Sequence, residues 1–280
     1  AKQMPLLPIT GNFRLAIDRS FNVVGAGHVV TGTVFSGRLE VGATARVLSA
    51  DMDVRVRGIH AQNRKEQAGQ LGQRCALNLA GTELNKTLIR RGDWVVAGAV
   101  PPPAFKIDTR VRVLKSEVRP LAHWTPVHVH AAAAETTGRV AVLEGTNIHP
   151  GHTGLAQLVL DNPIGAVHDD SLIIRDQSAK RTIAGGKVID VFPPTRGRSK
   201  PQRLKFLVAM EEKDDGLALT TLLDTASNGV DLNTFANTRN LTPDDLAILV
   251  DLIPMKVIKT SQTNIGFSSE CWSDLSTNVQ

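Results

Sequence analysis

The chain has 280 residues, 32 Lys or Arg against 27 Asp or Glu, and a formal net charge of +5. That length holds two or three compact domains, and no apolar run approaches the roughly 18 residues of a membrane-spanning helix. Cys75 and Cys271 stand far apart in no C-x-x-C pairing, which excludes a disulfide scaffold and a zinc knuckle and suits a reducing cytoplasm. The opening Ala1-Lys2-Gln3-Met4-Pro5 lacks the charged-then-apolar pattern of a secretory signal. Charge is unevenly divided: residues 1–200 carry 26 bases against 16 acids, and residues 201–280 carry 6 against 11. A basic partner surface therefore belongs to the first two-thirds.

The first predicted element is Phe13-Arg14-Leu15-Ala16-Ile17-Asp18-Arg19, a half-buried strand with Phe13, Leu15 and Ile17 on one face. Gly25-Ala26-Gly27-His28-Val29-Val30-Thr31-Gly32-Thr33 follows as a hairpin. Its glycines mimic a phosphate loop without being one. Gly27 and Gly32 have the P-loop gap, but Thr33 stands where the phosphate-binding Lys is required, and the dinucleotide pattern fails because Gly32 comes too late for its third glycine. Val54-Arg55-Val56-Arg57, Val111-Arg112-Val113 and Val127-His128-Val129-His130 alternate apolar with basic or histidine residues. Leu155 to Leu160 and Leu172-Ile173-Ile174 suit buried strands. Gly and Pro punctuate these runs about every ten residues, the spacing of barrels and sandwiches. Pro101-Pro102-Pro103 divides the region in two, since proline cannot sit in a central strand.

Beyond the basic connector Pro193–Pro201 the pattern turns helical. Leu204, Leu207 and Val208 are predicted to share one buried face, and Leu217, Thr220 or Thr221, and Leu223 another. Asp231 to Phe235 starts a third helix. Thr242-Pro243-Asp244-Asp245 is a strong helix start, a capping Thr with Pro and acids in the first turn, before a stripe of Leu246, Leu249, Val250 and Ile253. Lys256 to Lys259 and a hairpin near Gly266 complete a helix-turn-helix with a wing.

The Gly-rich hairpin resembles domain II of EF-Tu-class elongation factors. Asp18-Arg19 with Arg74, and the segments His60-Ala61-Gln62-Asn63, Gly72-Gln73-Arg74, Arg91-Gly92-Asp93-Trp94 and Thr137-Gly138-Arg139-Val140, resemble the SelB family within that class. The resemblance implies a mainly β chain: two consecutive EF-Tu-like β-barrels (11–100 and 104–194), a basic Pro-rich linker (195–202) and a small α/β winged helix (203–280). It implies a translation elongation factor that binds selenocysteinyl-tRNA and delivers it to the ribosome. The family's GTPase domain, with its GTP and Mg, and its further winged helices are not found in the sequence, so the chain itself is expected to carry no catalysis, cofactor or metal. His28 departs from the family, where a small or aliphatic residue is usual.

The resemblance places Asp18, Arg19 and Arg74 in the aminoacyl (selenocysteine) pocket. Together they carry +1, which a selenolate neutralises, whereas serine, or a thiol with a pKa of roughly 8.5, stays neutral at pH 7. On spacing alone Asp18 and Arg19 are an ordinary surface pair worth about 0–1 kcal/mol, and in a regular strand they point to opposite faces. Arg55, Arg57, His60, Arg64, Lys65, Arg110 and Arg112 are candidate tRNA contacts. His128 and His130 share a face but lack a third metal ligand at suitable spacing. The helix near 242–252 carries Asp244, Asp245 and Asp251 and no base, so the winged helix is expected to be a spacer rather than an RNA reader. The alternatives are another EF-Tu-class GTPase, or a winged-helix DNA-binding regulator, against which the acidic composition of residues 201–280 argues.

Overall fold

The computed structural model describes residues 10–25, 27–81 and 89–277; Ala1–Pro5 and Ala26 of the motifs above lie outside them. The chain divides into two compact units, one running to Pro103 and including His130–Glu135, the other formed by Ala104–Val129 and Thr136 onward.

The first unit contains β1 (Phe13–Val23), β2 (Gly27–Ser36), β3 (Arg38–Glu40), β4 (Thr44–Val47) and β5 (Met52–Ala61), then β6 (Arg64–Glu66), β7 (Ala68–Gln70), β8 (Arg74–Ala80) and β9 (Trp94–Ala97). The main sheet runs β4-β9-β1-β2-β8-β5-β6, and a further β4–β5 pairing closes it into a barrel. Alternation explains the core: Leu15, Ile17, Val30, Val34, Val56, Ile59 and Leu77 turn inward and are almost fully buried. The half-buried reading of β1 fails at Arg14 and Ala16, which are buried too. Trp94 covers the outer side of β1 there, with the Arg14 guanidinium 4.5 Å from its ring centroid. Gly32 serves packing, since a Cβ on it would lie 2.0 Å from the Ala16 carbonyl oxygen.

The second unit begins with β10 (Ala104–Val113), β11 (Leu121–Ala122), β12 (Thr125–Ala131), β13 (Ala134–Val142), β14 (Asn147–Ile148), β15 (Thr153–Ile164), β16 (Ser171–Asp176) and β17 (Thr182–Asp190). Six of these close a barrel in the order β10-β15-β13-β12-β16-β17. Five helices and a small sheet follow: α1 (Pro201–Met210), α2 (Asp215–Thr225), β18 (Val230–Asp231), α3 (Leu232–Arg239), α4 (Pro243–Leu252), β19 (Lys256–Lys259), β20 (Asn264–Phe267) and α5 (Ser269–Thr277). Side chains set the helix starts. Asp214 caps α2, Asp231 caps α3, and Thr242 with Asp245 forms a full capping box on α4. Two predicted stripes shift: Val208 and Leu217 are 54% and 52% exposed, while Ala209, Met210, Leu219 and Leu222 are buried instead.

The helices share a core with the barrel. Leu143, Leu155 and Ile189 belong to one apolar cluster with Leu207, Met210, Leu219, Leu222 and Phe235. At its edge Arg203 of α1 bridges Asp108 of β10 and Asp190 of β17, all three side chains being nearly buried. Gln157 donates to Asp108 at 2.8 Å, and the Phe192 N–H to Asp190 at 3.0 Å. Burial pushes the Asp108 carboxyl up, against the pull of Arg203 and Gln157. Arg203→Ala leaves two buried carboxylates without their cation, so stability should fall by about 3–5 kcal/mol in urea denaturation. A loss below about 1 kcal/mol would show that Arg203 carries little of this contact.

Candidate functional site

Two bulges aim the outer face of the first barrel. β1 and β2 pair as Ala16↔Thr33 and Ile17↔Gly32, then as Arg19↔Thr31, leaving Asp18 as one extra residue. A bulge breaks the period of two. Asp18 and Arg19 can therefore occupy one side of the sheet, Arg19 opposite Thr31 and Asp18 bonded to it. The second bulge, between Val56 and Gly58 of β5, keeps Arg55, Arg57 and His60 outward despite the odd spacing from 57 to 60.

Asp18 accepts a hydrogen bond from the Thr31 hydroxyl at 2.7 Å and two from Arg74 of β8, from Nη1 and, at 3.0 Å, from Nη2. Such a fork fixes the guanidinium plane as well as its position. Burial, the largest influence on Asp18, raises its pKa, yet the bonds from Arg74 and Thr31 and the charges of Arg74 and Arg19 together hold it below the ordinary carboxylate range. Asp18 in turn pushes Arg74 up.

Arg74 and Thr31 stand at one end of an open groove of about 790 Å³ across β2, β8 and β5. Arg57, His60 and Lys65 line it too, and among the described residues no carboxylate does. Val23 and Val29 supply an apolar wall, and Gln62, Asn63 and Asn78 supply amides. Gln62 and Asn63, with φ of 50° and 62°, form the tight turn joining β5 to β6 that raises one rim. Cys75 lies buried beneath, its thiol pushed up to about 11 by burial, so it offers no nucleophile. His28 is buried in the hairpin, its ring 3.0 Å from Ser20 Oγ and 2.9 Å from Asn22 Oδ1.

Of the candidate residues, Arg57, His60, Lys65 and Arg74 line the groove. Arg55 and Arg64 are exposed on the strands that bear these groups. Arg110 and Arg112 lie in the second unit: Arg110 forms a two-pronged pair with Glu211 of the helical module, while Arg112 is exposed. Among the described residues no three His, Cys, Asp or Glu side chains gather to hold a metal ion. The sequence reading did not name Thr31, Gln62, Asn63 or Asn78 as site residues; of these, Asn63 is of a type favoured in turns.

Two domain families match in succession: "Elongation factor Tu domain 2" over residues 27–96 and "Selenocysteine-specific elongation factor, beta-barrel domain" over residues 108–195. The selenocysteine-specific elongation factor of Escherichia coli (strain K12) is 42% identical over 240 residues, 85% of this chain and 37% of that protein. The chain matches the selenocysteine-specific elongation factor family. The Haemophilus influenzae member is 39% identical over 211 residues, 74% of this chain and 33% of its own length. The chain thus spans about a third of the length of these family members. A crystal structure of a bacterial selenocysteine-specific elongation factor, EF-Sec, shares the fold with a TM-score of 0.73 at 18% identity, over 99% of this chain and 42% of that one.

The Asp18–Arg74 pair gives a pH signature. A depressed carboxylate pKa contributes stability that is complete above the unfolded value, about 3.9, and is lost as pH falls through the lower folded value. In an NMR titration the Asp18 carboxyl should therefore protonate below 3.8 and shift upward in Arg74→Ala. An unchanged titration in the variant would remove Arg74 as the cause.

Proposed function

We propose that this chain supplies the aminoacyl-reading and tRNA-binding part of a selenocysteine-specific elongation factor, holding selenocysteinyl-tRNA for delivery to the ribosome with GTP switching by a partner GTPase domain. The observation that carries this reading is the Asp18–Arg74 fork, whose Arg74 lines a groove in which the charged groups among the described residues are basic. In this reading Asp18 is a positioning residue. It spends its carboxylate on Thr31 and Arg74, leaving N–H groups of Arg74 for the ligand. Arg19, opposite Thr31 and exposed, adds the charge that Asp18 does not cancel.

The selectivity follows from charge. A selenolate leaves the pocket neutral, whereas a seryl hydroxyl leaves one guanidinium without a counter-charge. Guanidinium is weakly hydrated and suits a soft, polarisable anion better than an ammonium would. Arg57, His60 and Lys65 then meet the phosphates and sugar of the tRNA end, a sequence-independent, salt-sensitive contribution. The first helical module takes no part in reading RNA: α4 presents acids, and Arg203 and Arg239 are turned inward onto carboxylates.

A broader reading, a general EF-Tu-class factor, draws on the 27% identity to elongation factor Tu 2 of Streptomyces avermitilis. Ester protection separates the two. Joined to a GTPase domain of the family, the chain should slow hydrolysis of selenocysteinyl-tRNA far more than of seryl-tRNA. Arg74→Ala should cut that preference about tenfold or more, hydrogen bonds to charged groups being worth roughly 1.5–3 kcal/mol. Equal protection of both tRNAs would favour the general factor.

A further inference from the structure

We propose that Trp124, on the second barrel, is the floor of a binding site for one unpaired RNA nucleotide. Trp124 occupies the turn between β11 and β12 with φ at 69°, a region bulky side chains rarely enter. The chain pins it there. Its N–H donates to the Val140 carbonyl at 2.6 Å, the His123 N–H donates to Thr146 at 2.8 Å, and the Thr125 hydroxyl closes the turn on Ala122 at 2.8 Å. Glycine or asparagine would fit this backbone with less strain. What the strained turn achieves is display of an indole, 42% exposed where Trp94 is 3% exposed.

Cations surround that indole. The guanidinium of Arg139 lies 6.0 Å and that of Arg198 5.7 Å from the ring centroid, and the His123 ring stacks at 6.0 Å. Among the described residues neither guanidinium has a carboxylate partner. Arg139 donates to the Trp124 carbonyl and Arg198 to Gln157 Oε1, each at 3.3 Å, while Asp161 accepts from the Thr137 hydroxyl. A 42% exposed indole with two guanidiniums over its ring, neither paired with a carboxylate among the described residues, matches a flat ring carrying an anion. A nucleobase stacks on the indole and its phosphate meets Arg139 and Arg198. Paired stems keep their base faces stacked, so the ligand is an unpaired nucleotide. With aromatics at 4% of the chain, one base is taken rather than a run. The site is independent of the groove on the first barrel, and a failure of either leaves the other standing.

The competing role for Trp124 is to anchor the linker through Arg198. Trp124→Gly separates the two, because glycine suits φ of 69° and removes the ring. The full chain, with Trp272→Phe so that Trp124 is the one exposed indole beside the buried Trp94, is titrated with a single-stranded hexa-adenylate and with a duplex of equal length. The single strand should quench indole emission and the duplex should not. Trp124→Gly should keep its thermal midpoint and lose about tenfold or more in hexamer affinity by labelled-RNA anisotropy, while Trp124→Phe keeps most of it. Arg139→Gln should flatten the salt dependence. Undiminished hexamer binding by Trp124→Gly, or equal quenching by strand and duplex, overturns the proposal. A midpoint that falls while binding holds assigns Trp124 to the linker.

Discussion

A single extra residue in β1 governs the candidate site. With Ile17 opposite Gly32 and Arg19 opposite Thr31, Asp18 has no partner across the sheet and is free to leave the alternation. Without that bulge, a period of two would send Asp18 and Arg19 to opposite faces. With it, Asp18 meets Thr31 and Arg74, and a two-pronged ion pair forms between residues 56 positions apart. The bulge is affordable because Ile17 and Gly32 on one side of it stay locked: Gly32 lets β1 approach so closely that no side chain could replace it. Leu15 and Ile17 are buried on the near side of the bulge, and a further register shift lies between Arg14 and Leu15.

A second constraint shapes the other unit. Arg203 holds Asp108 and Asp190 where the barrel meets α1, beside an apolar cluster drawn from both. Arg110 reaches Glu211, and Thr238 accepts the His168 N–H at its carbonyl and donates its hydroxyl to Asp190. The basic character of the linker and of α1 is therefore partly consumed internally. Arg203 of α1 is thereby committed to two carboxylates of the barrel.

Alternation made most strands legible, because the outward Arg and His of β5 and the half-buried His of β12 alternate with buried Val, Ile or Ala. Capping made the starts of α3 and α4 legible for the same local reason. What escaped was non-local. Whether a strand bulges depends on its neighbour's register, so the convergence of Asp18 with Arg74 could not be read from either segment. Arg110 seemed available to RNA because Glu211 lies 101 residues away in sequence. Val208 and Leu217 looked buried because apolar residues at helical spacing define a face without saying which neighbour covers it. The burial of Arg14 required Trp94, which no spacing in β1 announces.

The central claim is that the pocket reads charge rather than size, and cysteine offers the direct test. A cysteinyl group differs little in shape from a selenocysteinyl group, but its thiol ionises near a pKa of roughly 8.5. The measurement is the affinity of amide-linked, hydrolysis-resistant cysteinyl- and seryl-tRNA for the chain joined to a GTPase domain of the family, from about pH 7 to 9.5. Charge reading predicts that cysteinyl-tRNA gains affinity through that range, approaching the selenocysteinyl form, while seryl-tRNA does not. Parallel, flat profiles for cysteinyl- and seryl-tRNA would contradict it.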